Sequence, residues 1–493
     1  MTTHSVDGVP AQRDRDSAGV ARASWLSTVD RYRSALSAPD DDRIWSRRLE
    51  TASAAEITEI QAVKLRALVR YLHAAVPFYR RRFDAIGLEP GDIRGLEDLT
   101  AIPPVTKQDM AADLAEHPPW GTYTAVDEPT WLSKGWQIFA SSGTTGAPRA
   151  FRYTGFDRET WAWSTARAMY AMGFRRGRDS AMLAFGYGPH VWLWGVHYGL
   201  NLMGIPIVTA GGLATTARVR FLDMYRPTIL ACTPSYALYL ADVMKEMGLD
   251  PAETSVRHLF CAGEPSMAVP ALRARLESTW QATLHEFYGC TEAAPSAGAH
   301  SCAEVSAAPG EVSLHLPGDT HLWEVVDPDT MAPVPAGERG VSVVTNLLSE
   351  ASPQLRFVVG DYTRLGAEPC PCGRNTPRAR GGFLGRADDM LNVRGVTLFP
   401  SMIEDAVRRV PDAGVEYEIV LTAPRGLDEL MVRVEATAGF PAGDHGALRE
   451  ALVREIRSRA ELRASVEILE YGVLPRTQTK ARRVRDLRAE TAA

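Results

Sequence analysis

Lysine is nearly missing from this chain. Of 54 basic residues only five are lysines (Lys64, Lys107, Lys134, Lys245 and Lys480), and arginine fills the other basic positions. A lysine retained against that bias is informative, because a flexible ammonium and a planar guanidinium do not substitute for one another at a reacting phosphate. Long apolar runs are missing too. No stretch of about 18 uninterrupted apolar residues occurs, so no membrane span is expected. The first residues carry Arg and Asp rather than an apolar segment, so no secretory signal is expected and the setting reads as cytoplasmic. No long basic stripe precedes the C-terminus and the net charge is −6, which argues against bulk nucleic-acid binding. The six cysteines are scattered, apart from Cys370 and Cys372 around Pro371. In a cytosolic chain that pair points to metal rather than to a disulfide. The Walker signature Gly-x-x-x-x-Gly-Lys-Ser/Thr is absent, which disfavours a kinase. No internal repeat is visible.

What is present is a globular composition, 45% hydrophobic and 23% charged, in a chain of 493 residues. That length calls for two or more domains. Residues 1–23 are polar and lack apolar periodicity, which reads as a disordered leader. From Ile57 to Leu72 the apolar residues recur at helical spacing. Short apolar runs at 228–233 and 257–262 are followed by turns, like buried strands, with helical patterns at 236–247 and 268–279. This alternation predicts an α/β fold with mostly parallel sheets and covering helices. After about residue 388 the pattern becomes a small α+β one: strand-like 416–422 and 429–436, helix-like 446–459, strand-like 465–469.

The densest chemical signal is Ser141-Ser142-Gly143-Thr144-Thr145-Gly146-Ala147-Pro148-Arg149. Its hydroxyls and glycines cannot fill a core, and they suit a loop whose N–H and O–H donors wrap phosphate oxygens. Taken alone, the run also fits a flexible linker. Further segments follow in order: Cys261-Ala262-Gly263-Glu264-Pro265, Phe287-Tyr288-Gly289-Cys290-Thr291-Glu292, Gly360-Asp361, and Gly385-Arg386-Ala387-Asp388. The last is Leu474-Pro475-Arg476-Thr477-Gln478-Thr479-Lys480. In this order and spacing the set resembles the adenylate-forming superfamily of acyl-CoA synthetases and adenylation domains. The branch it is most similar to is the phenylacetate–CoA ligase family, whose N-terminal signature is matched by Val76-Pro77-Phe78-Tyr79 and by Thr106-Lys107-Gln108-Asp109. The resemblance spans roughly residues 44–488.

The resemblance implies a role for each segment. Ser141, Ser142, Gly143, Thr144, Thr145 and Gly146 would hold the phosphates of ATP. Gly263 and Glu264 follow a strand, where open α/β sheets place ligands, and would line the adenine and acyl pockets. Tyr288 offers a flat face to adenine, although it also fits a half-buried core tyrosine. Asp361 would accept hydrogen bonds from ribose hydroxyls, although Gly-Asp also makes an ordinary turn. Thr291 and Glu292 would meet the α-phosphate and Mg²⁺, a hard ion suited to a carboxylate. Arg386 would contact nucleotide, Asp388 would be the hinge, and Lys480 would stabilise the charge on the reacting carboxylate and α-phosphate. Two departures stand out: Arg149 occupies a position where many superfamily members have lysine, and Gln478-Thr479 precede Lys480 where glycine is common.

By family spacing, Cys302, His315, Cys370 and Cys372 resemble the zinc-binding set of some members, and three thiolates with one imidazole suit a closed structural Zn²⁺ site. By position, Phe185, Tyr187, His190, Trp192, Trp194 and His197 would line the acyl pocket. Their rings suit a flat aromatic acid, although packing the core is the commoner fate of aromatics. His190 or His197 could bind a hydroxyl or amino substituent. The resulting expectation is a disordered leader at 1–23, an adenylation domain at 24–387 with the ATP, acyl and zinc sites, and a mobile α+β lid at 388–493. The expected reaction joins a carboxylate to AMP from Mg·ATP and then passes the acyl group to coenzyme A. A carrier-protein thiol, an amine or another oxyanion remains an alternative acceptor or nucleophile, and a homodimer is compatible. A non-catalytic nucleotide-binding protein is the remote alternative.

Overall fold

Capping residues start the helices where the sequence places them. In the computed structural model, Ser53 and Glu56 close a capping box at the start of the helix Ala54–Ala75, whose inner face buries Ile57, Ile60, Leu65, Leu68, Val69 and Leu72. Thr106 and Asp109 do the same for the helix Lys107–Glu116, and Thr154 and Asp157 for Gly155–Ala171. The structure describes residues 12–33, 39–141, 149–308, 310, 312–394, 396–424, 428–476 and 483–491.

The expected disordered leader needs a correction over residues 12–23, which form the first half of a helix, Gln12–Tyr32. Just past the polar stretch, Trp25 is fully buried and its indole donates to the Ser349 carbonyl at 2.9 Å. Arg22 pairs with the buried Glu350. One ring and one ion pair anchor a segment whose average composition is polar.

Among the described residues the main sheet has eleven strands. From edge to edge they run His321–Val326, Arg339–Asn346, Phe357–Gly366, Arg378–Arg380, Ser313–His315, Ala294–His300, Thr283–Cys290, His258–Cys261, Ile229–Cys232, Ala181–Leu183 and Ile207–Thr209. The last five pair in parallel. Their side chains alternate between two faces. Met182, Leu230 and Leu259 pack with the helices Pro234–Glu246 and Pro270–Trp280 on one side. Leu183, Ala231 and Phe260 pack with Gly155–Ala171 and Val191–Met203 on the other. Burial on both faces is why these strands read as unbroken apolar runs.

The other half of the sheet is antiparallel, a difference from the mostly parallel arrangement expected. Most of its strands pair with the next strand in the chain, as Val344 does with Phe357, but the pairing of Arg378 with His315 joins distant segments, and local patterning carried no sign of it.

The C-terminal part matches its pattern closely. Ala413–Thr422, Glu429–Ala436, Ser465–Leu469 and Val484–Asp486 form a four-stranded sheet under the helices Pro400–Arg408 and His445–Ala460, with a separate apolar core. It meets the body through polar contacts. Asp405 accepts from the Ala271 N–H in the first turn of Pro270–Trp280 at 2.9 Å, Tyr471 donates to Glu246 at 2.7 Å, and Arg275 donates to the Ala413 carbonyl at 2.9 Å.

Candidate active site

Two of the sequence motifs, at Gly263-Glu264 and at Tyr288 to Glu292, sit at the C-terminal ends of parallel strands, where such sheets leave a crevice. After His258–Cys261 the chain turns at Gly263, whose φ of +88° suits glycine. Glu264 then accepts from the backbone N–H of Ser235 at 3.1 Å and its hydroxyl at 2.9 Å, in the first turn of Pro234–Glu246. Next to it, Thr283–Cys290 ends in the Tyr-Gly-Cys-Thr-Glu turn. A Cβ on Gly289 would lie 2.6 Å from the Ala294 carbonyl oxygen, so this tight return needs glycine.

Tyr288 and Asp361 meet. The phenol donates to the Asp361 carboxylate, and burial, followed by that negative charge, pushes the Tyr288 pKa well up, so it stays protonated. One face of the Tyr288 ring is already covered by Phe383, stacked at 3.6 Å and 10°. A stacked adenine has only the other face, unless Phe383 moves.

Asp361 is not in an ordinary turn, the alternative its Gly-Asp pair also fits. It lies inside the strand Phe357–Gly366, where the register with Arg339–Asn346 slips between Val341 and Val343 and Gly360 takes a φ of +86°. Such a bulge re-aims a side chain without ending the strand. Asp361 also bridges Arg386 through the backbone, and Tyr362 N–H donates to Gly385 at 2.9 Å.

Glu292 is buried and pairs with Arg149 at 3.0 Å. Thr291 lends its carbonyl to the Tyr153 hydroxyl at 3.1 Å. Ser141 N–H donates to the Arg149 carbonyl at 3.0 Å, so the two ends of the Ser/Thr/Gly run are tied together. The Ser141 hydroxyl and Arg149 Nε are buried and lack a hydrogen-bond partner among the described residues. Unsatisfied buried donors at the mouth of such a loop fit an anion. Ser142, Gly143, Thr144, Thr145, Gly146 and Lys480 lie outside the described residues.

Asp388 is exposed in the short 3₁₀ turn Ala387–Asp389. It pairs with Lys107 at 2.9 Å and with Arg386 at 3.5 Å. Lys107, Arg149, Tyr153 and Phe383 were not assigned to the site by sequence reasoning. The signals for two of them existed: a retained lysine, and an arginine in place of lysine.

The aromatic segment divides. Phe185 packs edge-on against Trp192 at 4.1 Å, and Trp192 goes on to Phe260 and Phe287, in the core between sheet and helices. Tyr187, Trp194 and His197 form a separate group with Tyr198, which leads to Trp136 on the strand Gly135–Ala140, just before Ser141. His190 is exposed at the N-cap of Val191–Met203. Gly211 lies flat on Tyr187, where a Cβ would collide with the ring.

Away from this cleft, Cys302, His315, Cys370 and Cys372 are all buried, and their ligand atoms lie within 4.8 Å of one another. The Cys302–Cys370 sulfurs are 3.7 Å apart, and Cys372 Sγ is 3.4 Å from His315 Nε2. The six described cysteines are free thiols. A tetrahedron with metal–sulfur bonds of about 2.3 Å has edges of roughly 3.8 Å, so the set fits a zinc ion. The other ring nitrogen, Nδ1 of His315, meets the Thr376 hydroxyl at 2.7 Å, which fixes the ring.

Fold and cleft together define an enzyme that activates a carboxylate with a nucleotide. The chain belongs to the AMP-binding enzyme family, matching it over residues 99–346 and its C-terminal domain over residues 395–488, and is an ATP-dependent, AMP-forming acid–coenzyme A ligase. It is similar to the phenylacetate–coenzyme A ligase of Thermus thermophilus, at 35% identity over 90% of this chain and 100% of the relative. It is also similar to the crystal structure of 2-hydroxyisobutyryl-CoA ligase in the postadenylation state with 2-HIB-AMP: 32% identity, 92% of this chain and 94% of that one, TM-score 0.85. With 2-HIB-AMP and CoA in the thioesterification state the same ligase gives 32% identity, 91% and 93%, but a TM-score of 0.68. The identity is the same in both comparisons, so the drop reflects arrangement, and this structure is more similar to the postadenylation form of that ligase than to its thioesterification form. Among the described residues no helix is long and apolar enough to cross a membrane.

Proposed function

We propose that the acid is an aromatic carboxylate. The observation that carries this is the group of Tyr187, Trp194, His197 and Tyr198 beside the strand that leads into Ser141. Flat rings stack on such side chains, and burying one contributes about 1.5–3 kcal/mol.

In the first half-reaction a carboxylate oxygen attacks the α-phosphorus in line and pyrophosphate leaves. Ser141 to Gly146 hold the phosphates, Gly263 and Glu264 border the nucleotide, Tyr288 and Asp361 hold adenosine, and Thr291 and Lys480 face the reacting oxygens. Glu292 would hold Mg²⁺, which when bound neutralises phosphate charge. In the second half the thiol of coenzyme A attacks the acyl carbon and AMP departs. Between the halves the lid of residues 388–493 turns about Asp388 on the body formed by residues 24–387, where Arg386 contacts the nucleotide. These groups work by positioning and by charge already in place.

Cys302, His315, Cys370 and Cys372 hold a structural zinc, and a cytoplasmic setting keeps their thiols reduced. The test is ATP–pyrophosphate exchange with aryl acids, 2-hydroxyisobutyrate and medium-chain fatty acids, with thioester measured with and without coenzyme A. Exchange driven by aryl acids supports the reading. Exchange driven only by aliphatic acids overturns it. Aryl adenylate without coenzyme A thioester moves the acceptor to a carrier protein or an amine.

A further inference from the structure

One ring nitrogen in the aromatic group has no hydrogen-bond partner among the described residues. His197 projects from the helix Val191–Met203, with its ring centroid 6.2 Å from Tyr187, 6.3 Å from Trp194 and 5.4 Å from Tyr198. Its Nδ1 is buried and has no hydrogen-bond partner among the described residues. Buried polar atoms in folded proteins nearly always have one. The neighbouring polar ring atom obeys that rule, since Trp194 Nε1 donates to the Gly188 carbonyl at 3.2 Å. Trp192 Nε1 is also unpaired, but its ring packs on Phe260 and Phe287 in the core. His190, the other histidine of this segment, is exposed to water and needs no ligand. Burial lowers the His197 pKa, so at neutral pH the ring is uncharged and presents one donor and one acceptor.

We propose that His197 sets acid specificity by accepting a hydrogen bond at Nδ1 from a hydroxyl on the acid, so that the enzyme selects hydroxy acids over their unsubstituted counterparts. This rests on the acyl-pocket reading above. It differs from that reading in naming a substituent rather than a ring. A site that leaves a polar atom unpaired when the hydroxyl is missing discriminates more strongly than one that only senses size.

The experiment compares kcat/KM for two matched pairs, 4-hydroxyphenylacetate against phenylacetate and 2-hydroxyisobutyrate against isobutyrate. The wild type is run beside His197→Phe and His197→Gln. The quantity read is the ratio within each pair, which a general packing defect leaves in place. In at least one pair the wild type should favour the hydroxy acid by about tenfold or more. His197→Phe, which keeps a ring but has no acceptor, should bring that ratio to about one, and His197→Gln should restore part of it. If the phenylacetates are inactive while the isobutyrates show this dependence, the aromatic reading fails and the role of His197 stands. If the wild type treats both members of each pair alike, or His197→Phe keeps the preference, the proposal is overturned. Should His197→Phe not fold, His197→Leu takes its place in the same comparison.

Discussion

Arg149 and Glu292 hold each other beside the loop proposed to hold the phosphates of ATP. Both side chains are largely buried and 3.0 Å apart. Removing one partner of such a pair leaves the other as an uncompensated buried charge. Arg149→Gln is therefore expected to lower kcat/KM for ATP by about 10- to 100-fold, since it strips a cation from the phosphate loop and strands Glu292. Initial exchange rates across ATP concentrations measure this, and an unchanged value would show that the pair is only structural. Lys480 belongs to the same scale. Among the described arginines near it, Arg476 pairs with Glu435 and Arg483 with Glu416, so these two are not free to stand in for it. Lys480→Ala should slow adenylation by at least about a hundredfold, and Lys480→Arg should not rescue it, because a fork does not reproduce a point charge. Exchange at the wild-type rate in Lys480→Ala would reject that role.

Two cross-element links decide how segments are held. Lys107, at the start of its helix, reaches Asp388 at 2.9 Å, across 281 positions in the sequence. Solvent-exposed pairs of this kind contribute at most about 1 kcal/mol, enough to bias the proposed lid but not to lock it. Lys107→Gln should therefore shift the balance of the two half-reactions by a few-fold. Exchange and thioester formation from preformed acyl-AMP should then respond unequally, since each half-reaction depends on where the C-terminal part sits. Equal effects on both would mean the pair does not hold the lid. The cysteine cluster joins the strand Ser313–His315 to the Cys370–Cys372 turn. Protein purified without added metal should contain about one zinc per chain, and chelation should lower the melting temperature before it lowers adenylation. A metal-free protein with the same melting temperature would remove the assignment.

At the scale of the molecule, the sheet buries histidines that the unfolded chain would expose. His258 is held down to about 4 and His321 to about 3, both chiefly by burial, and His285 lies well below its ordinary value for the same reason. His258 and His285 face each other at 3.1 Å. The unfolded chain takes protons on these rings near pH 6.5, while the native protein refuses them. Stability is thus fully present above about pH 6.5 and falls as pH drops toward 4, by about 1.4 kcal/mol per pH unit for each ring titrating only in the unfolded state. Urea unfolding midpoints at pH 7.5, 6 and 5 should decline steadily, and a midpoint constant over that range would contradict the burial argument.

The local patterns were legible because their causes are local. The helix Ala54–Ala75 followed from apolar spacing and the Ser53–Glu56 cap, and the lid strands Glu429–Ala436 and Ser465–Leu469 from alternation. The ordered motifs were enough to name the family, because phosphate, ribose and hinge contacts demand particular residue types at particular spacings. Pairing and burial were not legible. Nothing near Arg149 in the chain announces Glu292, nothing near Lys107 announces Asp388, and Phe383 finds Tyr288 only through the sheet. The bulge at Gly360–Asp361 likewise exists only against its partner strand. The aromatic segment makes the same point: Trp192 and Trp194 look alike in sequence and both border the core, and packing alone sets Trp192 against Phe260 and Trp194 beside His197. Residue type and local order fixed the chemistry available to this protein. Which groups meet was left to long-range contacts, because those depend on strand order and register that no short window of sequence contains.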